Sequence, residues 1–292
     1  MLVVNVIGGL GNQMFQYAAG RSLSLDLEQP LLLDVSDFAN YGLHQGFELD
    51  SVFACPIKRA TAENVHDILG WQSWPFAKRI LSRPFLAKFR RHGFIVEPYF
   101  HYWPGLRHSP CNSYLSGYWQ SEKYFKPHED VIRRDFAFKG ALSGRNKDIA
   151  EQIASSNAVS LHVRRGDYVT NPKTQAAHSL CSVDYYQAAI RYVSERVDQP
   201  HFYVFSDDIP WVKDNFKIDF PCQYVDHNKG KGSYNDMHLM SLCRHHIIAN
   251  SSFSWWGGWL NQNPEKIVVA PKKWFANGNN IDDLFPQGWV SL

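Results

Sequence analysis

Two hydrophobic patterns alternate along this chain. Leu2–Ile7 is a short, nearly unbroken apolar run ending in a glycine-rich turn, the pattern of a buried strand. From Met14 to Leu27 the apolar positions Met14, Tyr17, Ala18 and Leu25 return at helical spacing, and after Pro30 the run Leu31–Val35 again reads as a strand. Strand, helix, strand predicts a βαβ unit with parallel neighbours. Residues 36–112, rich in aromatics and prolines, predict only short helices, and Tyr114–Tyr118 predicts one more strand.

The second half is more regular. Apolar runs at Val159–Val163, Phe202–Phe205, Gln223–Val225, Ile247–Ala249 and Ile267–Ala270 enclose helical patterns at Val183–Arg196, Pro210–Phe216 and Asp236–Cys243. Short buried strands alternating with helices predict a doubly wound parallel α/β sheet. The polar stretch Gly140–Gly144 suggests a boundary near residue 150, hence two Rossmann-like halves, 1–150 and 151–292. Such sheets bind ligands at the carboxyl ends of their strands, so two halves facing each other would form an interdomain cleft.

Composition narrows the class. The chain has 292 residues, 45% apolar and 20% charged, as globular proteins do, and a net charge of +2 is too small for a general polyanion binder. No nucleic-acid partner is expected. Five scattered cysteines with no CxxC read as reduced thiols, and no run is long and apolar enough to span a bilayer, so a cytoplasmic location is expected. One segment departs from this balance: 78–92, KRILSRPFLAKFRRH, sets six Lys/Arg among Ile80, Leu81, Phe85, Leu86 and Phe89. It reads either as a solvated surface helix broken near Pro84 or as a peripheral contact to anionic lipid at the inner membrane face.

Candidate chemistry gathers where strands end. Arg164 and Arg165 follow Val159–Val163; alternation aims one into a site and leaves the other for a structural ion pair. A guanidinium grips phosphate bidentately and stays charged at any working pH. Gly8–Gln13 is a glycine turn between strand and helix, with Asn12 and Gln13 supplying amides for hydroxyl groups. Ser251, Ser252 and Phe253 open a helix after another strand and form a neutral donor cluster for a diphosphate, whereas Trp255, Trp256 and Trp259 read as core. Asp207, Asp208 and Asp226 could hold Mg²⁺, cap helices or accept from ribose, and Asp236 is a cap or a nucleoside contact; with two arginines nearby, a metal is unnecessary. The thirteen histidines form no metal-spaced cluster.

Five stretches together, GGLGNQMFQYAAGRSL at 8–23, GYWQSEKYF at 117–125, SLHVRRGDYV at 160–169, YVFSDDIPW at 203–211 and NSSFSWWGGWL at 250–260, resemble the bacterial alpha-1,2-fucosyltransferases that use GDP-fucose. The resemblance implies a GT-B-like fold with an acceptor-side N-terminal half and a GDP-fucose-binding C-terminal half. It also implies an inverting, metal-independent reaction that needs no cofactor. The acceptor would be O2 of a terminal β-galactoside, oligosaccharide or lipid-linked, in O-antigen-type synthesis. By the same resemblance Arg164 grips the diphosphate, Ser251–Phe253 line it, Asn12 and Gln13 close over the fucose, and Asp207, Asp226 and Asp236 reach ribose or guanine. Asp167, His162 and Asn12 stay open as the group that assists the acceptor hydroxyl. Fucosyl transfer of other linkage or to protein, and carbohydrate binding without turnover, remain as alternatives.

Overall fold

A computed structural model describes residues 1–40, 45–166, 180–276 and 278–292. The chain divides into two compact units, Met1–Lys139 with Asn280–Leu284, and Gly140–Asn279 with Phe285–Leu292. The division falls at the start of the Gly140–Gly144 stretch, because residues 145–154 already form a helix of the second unit. A cut at residue 150 would pass through that helix.

The first unit carries a parallel sheet ordered β2-β1-β4-β3, with β1 Leu2–Asn5, β2 Leu31–Asp34, β3 Phe94–Val96 and β4 Ser113–Ser116. Helix Leu10–Asp26 makes the predicted crossover between β1 and β2. It begins at Leu10 rather than Met14 because extended Gly9 serves as its N-cap, its carbonyl accepting from the amides of Asn12 (2.9 Å) and Gln13 (3.1 Å). Gly20 lets it lie directly on β1: a Cβ there would come within 2.3 Å of Val4 Cγ2. The three-residue β3 lies in the region whose pattern predicts no strand; its place comes from pairing with β4.

The second unit carries a six-stranded parallel sheet ordered β10-β9-β8-β5-β6-β7. Its strands are β5 Asn157–Val163, β6 Pro200–Ser206, β7 Cys222–Val225, β8 His245–Ile247, β9 Val268–Ala270 and β10 Val290–Ser291. Side chains of β5 alternate between two cores. Val159, Leu161 and Val163 pack with Tyr186, Ala189, Ile190 and Val193 of the helix Val183–Ser194, while Ala158 joins Ile149, Ile153, Tyr203, Phe205, Leu239 and Met240 on the other face. Burying each such aliphatic side chain contributes about 1.5–3 kcal/mol, which explains why β5 reads as a continuous apolar run. The strand order reverses at β5: β6 and β7 lie on one side, β8 to β10 on the other. A doubly wound sheet leaves its ligand crevice at that reversal.

Candidate active site

In the second unit, the carboxyl ends of β5, β6 and β8 converge on the reversal point. Arg164 leaves β5 and pairs through Nη1 with Asp207 Oδ2 at 3.0 Å. Asp207 Oδ1 accepts the Arg165 amide at 2.9 Å, so this carboxylate is held from two sides. Gly166 permits the approach, since a Cβ there would stand 2.6 Å from Asp207 Oδ2. Arg165 turns the other way: its Nε pairs with Asp208 at 3.4 Å, and its guanidinium lies 3.6 Å from the centroid of the Trp211 ring. Arg165 thus takes the structural place that alternation leaves for one of the two arginines, and Asp207 holds Arg164. Asp208 caps the helix Ile209–Asn215, its Oδ1 accepting from Trp211 N at 3.2 Å.

On the other side of β5, Ser251 ends the β8 segment and caps the helix Ser252–Leu260, its Oγ accepting from Phe253 N at 3.3 Å. Ser251, Ser252 and Phe253 are half-buried, and the helix start directs backbone amides to the β8 end of the crevice. Asn250 beneath is buried and donates to Trp274 O at 3.1 Å. Trp255, Trp256 and Trp259 are buried core, as their pattern suggests. The Phe253 ring meets His162 with centroids 6.0 Å apart, linking this helix start to β5. His162 is one of the three groups considered for the acceptor proton. It lies buried within the strand, and burial, only partly opposed by Asp207, pushes its pKa down to about 4. Asp167 lies outside the described residues.

A second polar cluster sits beyond the end of β7. Asp226 pairs with Arg145 at 3.1 Å, and His227 Nε2 meets Asn146 Oδ1 at 2.8 Å. Asn146 Nδ2 donates to Asn228 Oδ1 at 2.8 Å, and Asn228 Nδ2 donates to Asp236 Oδ1 at 2.7 Å. Asp236 sits in the first turn of the helix Tyr234–Leu242, and burial pushes its pKa up to about 7. Asp226 and Asp236 therefore belong to this cluster rather than to Arg164 and Arg165. Asn146 and Asn228 belong to this cluster but are absent from the expected residues. Asn228 is legible in the Asp226-His227-Asn228 triplet, whereas Asn146 carries no signal at all.

In the first unit the glycine turn is built differently from expectation. Gln13 is fully buried; its Nε2 donates to Gly8 O (2.9 Å) and Gly46 O (2.8 Å), and its Oε1 accepts from Glu48 N (2.9 Å). Such a side chain closes the loop, with each of its amide atoms engaged by backbone. Asn12 is half-buried and accepts from Gln120 Nε2 at 2.8 Å. Gln120 is held in turn by its chain neighbours: Glu97, after β3, accepts from Tyr118 N (2.7 Å) and Trp119 N (3.0 Å), which pins Trp119 at φ 56°. A left-handed tryptophan is strained by about 1–2 kcal/mol and persists only where its surroundings hold it. Glu97, its pKa pushed up to about 7 by burial, has no sequence signature.

A broad depression of about 720 Å³, lined by 194–200 with Phe220 and Pro221, lies at the amino ends of β6 and β7, away from these groups. Among the described residues no three His, Cys, Asp or Glu side chains cluster as a metal site, and no helix is long and apolar enough to cross a membrane.

Residues 76–292 match the pattern of glycosyl transferase family 11. The chain belongs to that family. Among its relatives, the alpha-1,2-colitosyltransferase of Escherichia coli is 36% identical over 100% of this chain and 99% of its own length. The Escherichia coli O-antigen biosynthesis glycosyltransferase WbnK is 35% identical over 98% of each chain. Galactoside alpha-(1,2)-fucosyltransferase 2 of Sus scrofa is 25% identical over 100% of this chain and 80% of that one. In structure, the family 11 chain resembles the alpha-1,6-fucosyltransferase NodZ of Bradyrhizobium with a TM-score of 0.54 at 15% identity, covering 88% of this chain and 91% of that one. That likeness carries the fold: α/β, of the GT-B type, with two Rossmann-like parallel-sheet units.

Proposed function

We propose that this family 11 glycosyltransferase moves L-fucose from GDP-β-L-fucose to O2 of a terminal β-galactoside, inverting the anomeric carbon to an α-1,2 linkage in O-antigen-type polysaccharide synthesis. One observation carries the reading: Arg164, oriented by Asp207 at the strand-order reversal, with a capped helix start one strand away. Transfer breaks the bond between the anomeric carbon and a diphosphate oxygen, and negative charge collects on the departing GDP. A fixed guanidinium and oriented amides stabilise that charge more in the transition state than in the ground state. In this reading the second unit takes the donor, with Ser251, Ser252 and Phe253 along the diphosphate and the Asp226–Asp236 network at the nucleoside. The first unit takes the acceptor, with Asn12 toward the sugars; Asp167, next to Gly166 in sequence, is the carboxylate that receives the acceptor proton.

The names of the relatives support 1,2-linked transfer, a galactoside acceptor and an O-antigen setting; in that setting the acceptor would be oligosaccharide or lipid-linked. The five unpaired thiols fit a cytoplasmic reaction. Asp207 and Asp208 are each paired with an arginine rather than left as open metal ligands, so turnover without a divalent metal is expected. A second reading rests on the colitosyltransferase relative: the donor sugar is GDP-colitose, which is fucose without its 3-hydroxyl. A site that hydrogen-bonds that hydroxyl rejects the deoxy sugar by as much as about 10⁴-fold, so the donors separate cleanly.

The test is GDP release from GDP-fucose and from GDP-colitose with a panel of β-galactosides in EDTA, for wild type and Arg164→Ala. Turnover with fucose that survives EDTA and drops on the order of 10²–10³ in the variant is expected. Preference for colitose overturns the donor assignment, and donor binding without turnover across the panel favours a binding protein.

A further inference from the structure

We propose that the segment Trp71–Arg91 of the first unit is a docking surface for an anionic lipid bilayer. Five of the nine large hydrophobic side chains exposed among the described residues fall here: Trp71 (64%), Trp74 (71%), Phe76 (76%), Phe85 (71%) and Phe89 (58%). Scattered exposed apolar residues are ordinary; five large aromatics within one segment are a marked surface.

The surface is built, not frayed. The segment runs through a 3₁₀ turn Gly70–Ser73, the helix Pro75–Leu81 and a second 3₁₀ turn Pro84–Phe89. Buried Gln72 ties its ends together, donating to Phe89 O at 2.9 Å and accepting from Arg91 N at 3.0 Å. Arg90 folds back, its Nε donating to Leu81 O at 2.7 Å and its Nη2 to Arg83 O at 3.1 Å. Lys78 is drawn inward to Asp34 and Tyr114. Internal hydrogen bonds thus fix the segment's shape and Lys78 ties it to the unit, leaving the aromatic rings outside with the remaining basic side chains.

Charge selects the occupant. No Asp or Glu occurs between Asp67 and Glu97, while six Lys/Arg lie within 78–92. Because the whole chain carries only +2, everything outside the segment is net negative. Arg79, Arg83, Lys88 and Arg91 are exposed beside the rings. Tryptophan and phenylalanine enter the headgroup boundary, and neighbouring Lys and Arg meet acidic headgroups across it. A protein partner would have to supply acidic groups and apolar pockets together, whereas an acidic bilayer offers both everywhere. The inference does not use the donor site and stands apart from the assigned reaction.

Flotation of the full chain with vesicles of phosphatidylcholine, alone or mixed with phosphatidylglycerol, tests it. The wild type is expected to float with the mixed vesicles and to detach as KCl rises. Arg79→Glu/Arg83→Glu/Lys88→Glu should lose binding by about fivefold or more per site. Trp74→Ser/Phe76→Ser/Phe85→Ser should lose it even at low salt. Both variants change exposed positions, and should keep wild-type melting and turnover of a soluble galactoside. A wild type that stays unbound to the mixed vesicles overturns the proposal. So does binding that neither variant weakens, or self-association through the same rings in place of lipid binding.

Discussion

An arginine side chain free at a strand end samples many rotamers, and each must be lost before it can meet a phosphate in one geometry. At Arg164 that ordering is made in advance by Asp207, whose two oxygens take the Arg164 guanidinium and the Arg165 amide. The pair is partly exposed, so its worth to stability is at most about 1 kcal/mol. Its value is directional. Asp207→Asn would turn an amide N–H toward the guanidinium or lose the bond to the Arg165 amide. It should lower kcat by roughly 100-fold, as misplacement of a reacting group does, while the melting temperature scarcely moves and the donor KM changes less. A large fall in melting temperature instead would make Asp207 a structural residue.

The helix beginning at Ser252 couples stability to the site in one element. Ser251→Ala removes the oxygen that accepts from Phe253 N, costing about 1 kcal/mol of stability. It should also raise the KM for the GDP-sugar, because the amides it leaves unordered are those proposed to face the diphosphate. Thr61 makes a full capping box with Asn64 on the helix Ala62–Leu69 of the other unit. Thr61→Ala should cost similar stability and leave that KM unchanged. Equal effects on KM would detach the Ser252 helix start from the donor. The element scale also shows where pattern reading works. Helix Val183–Ser194 is found because Ser182 caps it and its apolar positions repeat, whereas β3 is invisible because three residues carry too little pattern.

Across the molecule, buried carboxyls and buried histidines set opposing pH dependences. Glu48 and Glu97 in the first unit and Asp236 in the second have pKa values pushed up to about 7 by burial. The folded state therefore holds their protons more tightly than the unfolded chain. Their contribution to stability is complete below the unfolded carboxyl values near 4 and is lost as pH rises toward 7. His162 and His238, pushed down to about 4, act the other way, and their contribution is lost as pH falls below the unfolded histidine value. Asp236→Asn isolates one of these: its melting temperature relative to wild type should rise between pH 5 and pH 8. A constant difference across that range would mean that Asp236 is ionised in the fold at little cost.

The chain's pattern alone was enough for five of the six strands of the second sheet and for the two-unit α/β order, because burial on both faces demands unbroken apolar runs and crossovers demand helices between them; the two-residue β10 carries no such run. It also marked Arg164, Ser251 and Asp207, since residues at the ends of such strands have nowhere else to go. Only the tertiary structure decided what each marked residue does. Gln13 and Asn12 are adjacent amides in one glycine turn, yet the packing of Gly46 and Glu48 buries the first and leaves the second half-buried. Arg164 and Arg165 are chemically identical, and Trp211 with Asp208 claims one of them. Such choices rest on contacts between residues far apart in the chain, which local pattern does not encode.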